Sequence, residues 1–170
     1  MRTFARIAMM ITGCALVLLF SGCYSFKDIG EIPKEVKTVR VNYIENKARY
    51  INPQLSPQLT DKLRQKINNQ TRLTLVQSED AHYDISGTIT DYTISTSGIS
   101  NQQAANNRLT VTVNLVFKNN LDPTKNFEAT LSRPFDFSAN LSLQAAEAQL
   151  TETIIQGMTD DMFNRVFSNW

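Results

Sequence analysis

Residues 108–118, RLTVTVNLVFK, carry the cleanest alternation in the chain. Leu109, Val111, Val113, Leu115 and Phe117 share one parity; Thr110, Thr112 and Asn114 share the other. A period of two puts every second side chain on the same side of a strand. This stretch therefore commits the chain to a sheet with one buried face and one polar face. Such a sheet needs a second layer against its apolar face, and the rest of the sequence has to supply it.

Residues 36–44 (VKTVRVNYI) predict the first strand, with Val39, Val41 and Tyr43 opposite Thr38, Arg40 and Asn42. Residues 45–53 read as a polar turn region. A helix follows, with Ser56 expected as N-cap and Pro57 as first helical residue, where a missing N–H costs nothing. Leu59, Leu63 and Ile67 recur every fourth residue as a narrow apolar stripe. Lys62 and Lys66 flank it, placed either to meet lipid phosphates or to snorkel along the core edge. Residues 72–77 give a short strand that a crossover of this length pairs in parallel with the first.

The next strand, residues 83–96, changes parity. Tyr83, Ile85, Gly87 and Ile89 share a face, but Tyr92 and Ile94 fall on the other, so a bulge is expected near Thr90 and Asp91. Residues 98–107 (GISNQQAANN) read as a polar surface loop. Leu121-Asp122-Pro123 turns the chain. Phe127, Ala129, Leu131, Arg133, Phe135 and Phe137 alternate in the last strand, where Pro134 points to an edge or a late-strand position. Ser142 is expected to cap a long final helix. Its stripe is Ala146, Leu150, Ile154, Met158, Met162 and Val166, widened by Ile155, Phe163 and Phe167. The two methionines suit core packing. Asp160 and Asp161 are adjacent on that helix and point about 100° apart, which suits a solvated face. The order β-α-β-β-β-β-α predicts an α+β two-layer sandwich: one mixed, mostly antiparallel sheet of four or five strands with two helices on one face. The other face, rich in Thr and Asn, is left to water or a partner.

The first 23 residues, MRTFARIAMMITGCALVLLFSGC, have a different character. Arg2 and Arg6 precede an apolar run that closes on Ser21, Gly22 and Cys23, the pattern of a secretory leader. The run is short for a membrane-spanning helix, which needs about 20 apolar residues. Ser-Gly-Cys after such a run resembles the lipobox of bacterial lipoproteins, which implies acylation of Cys23. Cys14 follows a similar triplet, Ile11-Thr12-Gly13, but cleavage there would leave the apolar residues 15–20 on the product. The expected division is a leader at 1–22, a lipidated N-terminus and tether at 23–36, and one α/β domain at 37–170.

The net charge of +1 conceals an asymmetry. Residues 34–72 hold nine bases and three acids, whereas residues 73–170 hold five bases and eleven acids. Segments of +6 and −6 suggest either a polyanion-facing side or halves that interleave and neutralise each other. From residue 23 onward, Asn, Gln and Thr number 40 against 31 charged residues. That composition suits contact with a polar wall such as the lumen of an outer-membrane barrel, or exposure to the periplasm. His82 is the single histidine, and no HExxH, GxSxG or phosphate-binding glycine loop occurs. No enzyme activity, metal or cofactor is expected, and an aromatic-studded basic strand for nucleic acid is missing.

Several stretches in order carry a resemblance. They are Cys23-Tyr24-Ser25-Phe26, Val39-Arg40-Val41-Asn42-Tyr43 followed by Asn52-Pro53, Leu59-Thr60-Asp61-Lys62-Leu63, residues 107–113 (NRLTVTV), Leu121-Asp122-Pro123, and the ending from Phe163 to Asn169-Trp170. In order and spacing the chain resembles the LptE family of lipopolysaccharide-assembly outer-membrane lipoproteins, in a divergent branch. The resemblance implies helices on one face of a small sheet and a non-enzymatic role. It further implies a plug and assembly partner of an LptD-like outer-membrane β-barrel, contact with lipopolysaccharide, and a membrane attachment through the N-terminal lipid. Candidate lipopolysaccharide contacts are Arg40, Lys62, Lys66 and Arg72, with residues 98–107, because phosphates need charge-assisted hydrogen bonds. The alternative is a periplasm-facing lipid-binding or transport-auxiliary lipoprotein.

Overall fold

The computed structural model describes residues 32–100 and 103–168, with no side-chain description at 99, 100 and 103–105. The expected leader, Cys23 and most of the tether lie outside the described residues. Strand β1 is Thr38–Val41 and β2 is Glu45–Asn46; helix α1 is Leu55–Gln70; β3 is Thr74–Leu75, β4 Tyr83–Ser100, β5 Gln103–Asn119 and β6 Phe127–Ser138; helix α2 is Leu143–Phe167. They form one mixed sheet in the order β3-β1-β4-β5-β6, with β2 beside β4. The strand pairs β1–β3, β1–β4 and β2–β4 are parallel, and β4–β5 and β5–β6 are antiparallel.

The alternation of β5 is realised as read. Leu109, Val111, Val113 and Leu115 are fully buried and Phe117 nearly so, while the residues between them are half-buried. The expected bulge lies between Ile89 and Asp91, and it returns Tyr92 to the buried face. Pro134 sits on edge strand β6, where no outer neighbour needs its missing N–H. Leu59, Leu63 and Ile67 of α1 join Ile154, Ile155, Met158, Met162 and Phe163 of α2 in one core with the sheet. Gly87 leaves room for that contact: a Cβ there would come within 3.3 Å of Met162 Cε.

Four expectations change. First, the opening strand is shorter than expected, ending at Val41, and a second short strand, Glu45–Asn46, forms in the stretch expected as a turn. Asn42 turns its amide onto Asp84 Oδ1 (2.7 Å) and the Ile85 carbonyl (3.2 Å), and the Ile44 N–H leaves the ladder for Thr60 Oγ1 (3.0 Å). Second, α1 begins at Leu55 with Gln54 as N-cap, and no side chain caps it. Asn52 performs that work from outside, its carbonyl accepting from Leu55 N–H and its Oδ1 from Gln54 N–H (3.0 Å). Pro57 still costs nothing, because the first four N–H groups of a helix lack partners anyway. Third, the stretch expected as a loop over residues 98–107 is strand on both of its described sides, 98–100 and 103–107. They continue the β4–β5 hairpin, with Thr96 opposite Asn107, Gly98 opposite Asn106 and Ser100 opposite Gln103. Fourth, Asp160 and Asp161 are not a solvated pair: Asp160 takes Lys66 (2.7 Å) and Asp161 takes Arg133 (2.9 Å). Ser142 caps α2 as expected, accepting from Ala145 N–H.

Candidate functional site

The four candidate cations do not converge. Arg40 lies on the sheet face away from the helices, bound to Asp84 through Nε at 2.7 Å and to Glu79 at 3.5 Å. Its guanidinium is held above its usual pKa by the hydrogen bond to Asp84. Arg72 turns to the chain's entry, where its Nη2 donates to the Pro33 carbonyl at 2.7 Å and to the Ile32 carbonyl. Lys62 and Lys66 share the helix layer. Lys62 Nζ meets Glu152 Oε1 at 3.2 Å, and Lys66 Nζ meets Asp160 while lying 5.1 Å from the Phe163 ring centre. The basic first half of the chain thus pairs with the acidic second half. Arg40, Lys62 and Lys66 thereby fold part of the charge asymmetry of the sequence together.

Lys62 and Lys66 are brought together at one place. With Gln65, Asn69, Gln70, Gln156 and Thr159 they line a shallow groove between the two helices. Residues 98–100 and 103–107, named with them as candidate contacts, belong to the β4–β5 ribbon of the sheet instead.

The second face of the sheet is not covered by any described element. Across β4, β5 and β6 its residues line up in rows: Thr88, Asn114 and Thr130; Asp91, Thr112 and Ser132; Thr93, Thr110 and Pro134; Ser95, Arg108 and Asp136. Cross-strand bonds order these rows. Thr112 Oγ1 and Ser132 Oγ are 3.0 Å apart, and Asn114 Nδ2 donates to Glu128 Oε1 at 2.6 Å. Arg108 grips Asp136 with two bonds of 2.7 and 2.9 Å, holding that carboxyl below the usual carboxylate range. The surface that results is mainly hydroxyl and amide, with Arg108 and Asp136 neutralising each other across neighbouring strands. Such groups bond to a partner at a far lower desolvation cost than free charges.

A polar cluster that the sequence reading missed ties residues 50–52 to α2. Glu147 accepts from Tyr92 OH (2.8 Å), Tyr50 OH (3.2 Å) and Asn52 Nδ2 (3.2 Å), and the two tyrosine rings stack with centres 5.5 Å apart. No spacing rule links positions 50, 92 and 147, so pattern alone had no signal for it. Burial, then the hydrogen bond to Glu147, pushes the Tyr92 phenol well above its ordinary pKa. The folded state therefore keeps a proton that the unfolded chain releases near pH 10. Stability is fully present below that pH and falls as pH rises beyond it. Tyr92→Phe is expected to flatten that alkaline fall, measured as urea midpoints at about pH 8 and about pH 11.

Among the described residues no group of three or more His, Cys, Asp or Glu side chains is placed to hold a metal. No described helix is long and apolar enough to cross a membrane. A family model for LptE, described as lipopolysaccharide-assembly, matches residues 36–166. No curated protein matches the chain significantly. Among solved structures, the hypothetical protein CT253 from Chlamydia trachomatis superposes with a TM-score of 0.56 at 9% identity, covering 77% of this chain and 95% of that one. Protein XCC0632 from Xanthomonas campestris gives 0.54 at 11% identity, covering 82% and 90%. A minor lipoprotein from Acinetobacter baumannii gives 0.51 at 15% identity, covering 76% and 91%. At these identities the likeness is one of fold.

Proposed function

The chain belongs to the LptE family of lipopolysaccharide-assembly proteins, and from that premise we propose that it is a lipid-anchored plug and assembly partner of an LptD-like outer-membrane β-barrel. Cys23 carries the acyl chains and the residues after it tether the fold to the membrane. Each buried CH₂ contributes about 0.8 kcal/mol, so several chains together anchor firmly. The fold itself performs no catalysis; it occupies and stabilises the barrel through which lipopolysaccharide reaches the outer leaflet.

The observation that carries the plug reading is the uncovered sheet face. Its rows of Thr, Ser and Asn are ordered by cross-strand bonds, and its one arginine in those rows, Arg108, is paired with Asp136. The lumen of an outer-membrane barrel is lined by polar side chains, which such a face complements with direct and water-mediated bonds. For lipopolysaccharide phosphates, Lys62 and Lys66 remain the paired contact, because they share one groove. Glu152, three-quarters exposed at its side chain, is the counter-ion a phosphate would displace from Lys62. Arg40 and Arg72, each engaged elsewhere, are the weaker candidates.

The test is a pull-down of the tagged full chain from detergent-solubilised membranes. One large outer-membrane barrel protein is expected in amounts comparable to the bait. Cys23→Ser is expected to move the chain out of the membrane fraction and to lower that recovery. Recovery of bound lipid with no barrel would favour the lipid-carrying alternative and sink the plug reading.

A further inference from the structure

The chain holds a second binding feature, on the side of the molecule where β2 meets the start of α1. A groove there is lined by Tyr43, Glu45, Asn46 and Lys47 on one wall and by residues 51–53 and Ser56 on the other. Two polar atoms in these walls, Asn46 Nδ2 and Ser56 Oγ, are buried and make no hydrogen bond. Ser56 as a whole is 4% exposed. An unbonded buried donor or hydroxyl costs on the order of 1–3 kcal/mol, and native folds rarely carry two within one groove unless something else completes them.

The backbone beside these atoms is also incomplete. Among the described residues β2 pairs with β4 alone. Its second edge has no strand, because β3 stops level with Val39. Lys47 N–H donates to the Ile89 carbonyl at 2.9 Å. Successive residues of a strand direct their amides to opposite edges, so the Asn46 N–H and carbonyl face the open side. The groove thus offers one backbone N–H and C=O pair, at Asn46, beside an unbonded side-chain amide and an unbonded hydroxyl.

Charge and shape define what fits. Lys47 Nζ lies 2.7 Å from Glu45 Oε2, so the two ions beside the groove neutralise each other. Its rim is apolar: Tyr43 is 55% and Ile51 58% exposed, both high for side chains of that size. Pro53 adds to the same rim. An ion finds no net counter-charge here. An extended peptide supplies alternating N–H and C=O groups to the edge and apolar side chains to the rim.

We propose that this groove docks an extended, uncharged peptide strand of a partner protein by adding it to the edge of β2. The site lies apart from the polar sheet face and does not depend on the plug reading. The assay uses the full chain in detergent and a fluorescein-labelled, uncharged peptide of alternating threonine and valine. Saturable binding is expected, with slowed amide exchange confined to residues 43–56. Methylating alternate backbone nitrogens of the peptide removes its donors to β2 and is expected to abolish binding. Ser56→Ala removes a hydroxyl that bonds to nothing in the fold, so its thermal midpoint should hold or rise while peptide affinity falls about fivefold. Asn46→Asp keeps the Oδ1 that accepts from Ala48 N–H but deletes the free donor, and should weaken binding similarly. The proposal is overturned if the methylated peptide binds as well as the parent, if protection appears elsewhere, or if no saturable binding occurs. Protection of the same amides by lipopolysaccharide vesicles, but not by the peptide, would overturn it too.

Discussion

Replacing Leu63 with alanine is expected to destabilise the fold by about 3 kcal/mol, near the middle of the range for a fully buried leucine. Leu63 is 1% exposed, in the centre of the α1 stripe, and it packs within the core shared with α2 and the sheet. The cost depends on whether the surroundings collapse into the space left behind, and here α1 is pinned on three sides. Lys62 and Lys66 bind Glu152 and Asp160 of α2. Arg64 donates to the Val41 carbonyl through Nε at 3.2 Å and Nη2 at 2.8 Å. Thr60 Oγ1 accepts from the Ile44 N–H at 3.0 Å and donates to the Ser56 carbonyl at 2.7 Å. A helix held this way cannot slide inward, so the cavity stays open. The measurement is a urea titration: the midpoint should fall with the slope unchanged. Gln65→Ala, on the exposed side of the same helix, serves as control and should stay within about 0.5 kcal/mol of the parent. Equal effects at the two positions would mean that α1 does not cover the core as described.

The same contrast between burial and exposure explains what was legible in the sequence. The β5 alternation, the bulge between Ile89 and Asp91, the α2 stripe and the Ser142 cap all leave a local trace. Each follows from a side chain's partition between core and water, or from one backbone amide and its neighbour. The outer part of the β4–β5 ribbon left none. Over 98–100 and 103–107 the β4–β5 ribbon is held by ladder bonds, and bonds between backbone groups leave no trace in composition, so the stretch reads as a loop. Ile94 marks the transition. It has the parity of the buried face, yet it is 44% exposed.

Start of helix α1 misled for a related reason. Ser56-Pro57 has the composition of a cap, but Asn52 takes the first amides from outside the helix. That frees the Ser56 hydroxyl, which then has no partner in the fold. The candidate cations were chosen by type and by local net charge. Their ion pairs span 44 positions for Arg40 with Asp84 and 94 for Lys66 with Asp160. Nothing local announces such pairing. The Glu147 cluster, which joins positions 50, 52, 92 and 147, was hidden in the same way.

The polar sheet face yields the other large expected effect. Changing Thr112 and Thr130 together to arginine is expected to lower recovery of the barrel partner at least about tenfold, a loss of about 1.4 kcal/mol or more. Both side chains point away from the helix layer, on neighbouring strands β5 and β6. In the folded chain alone, the change removes one contact between hydroxyls, Thr112 with Ser132, and cross-strand pairs of this kind contribute roughly 0.2–1 kcal/mol. Arginine at 112 also gains Asp91 as its cross-strand neighbour, and arginine at 130 lies two residues from Glu128 on β6. Thermal stability should therefore move little, and circular dichroism should confirm the intact sheet. Pressed against a closed polar wall, however, two guanidinium groups must either lose water without an acceptor in place or hold the surfaces apart. If this face is merely wetted by the periplasm, the double variant will bring down the barrel as well as the parent does. In that case the surface that fills the barrel must be sought on the helix layer, where Lys62 and Lys66 already spend their charge on Glu152 and Asp160.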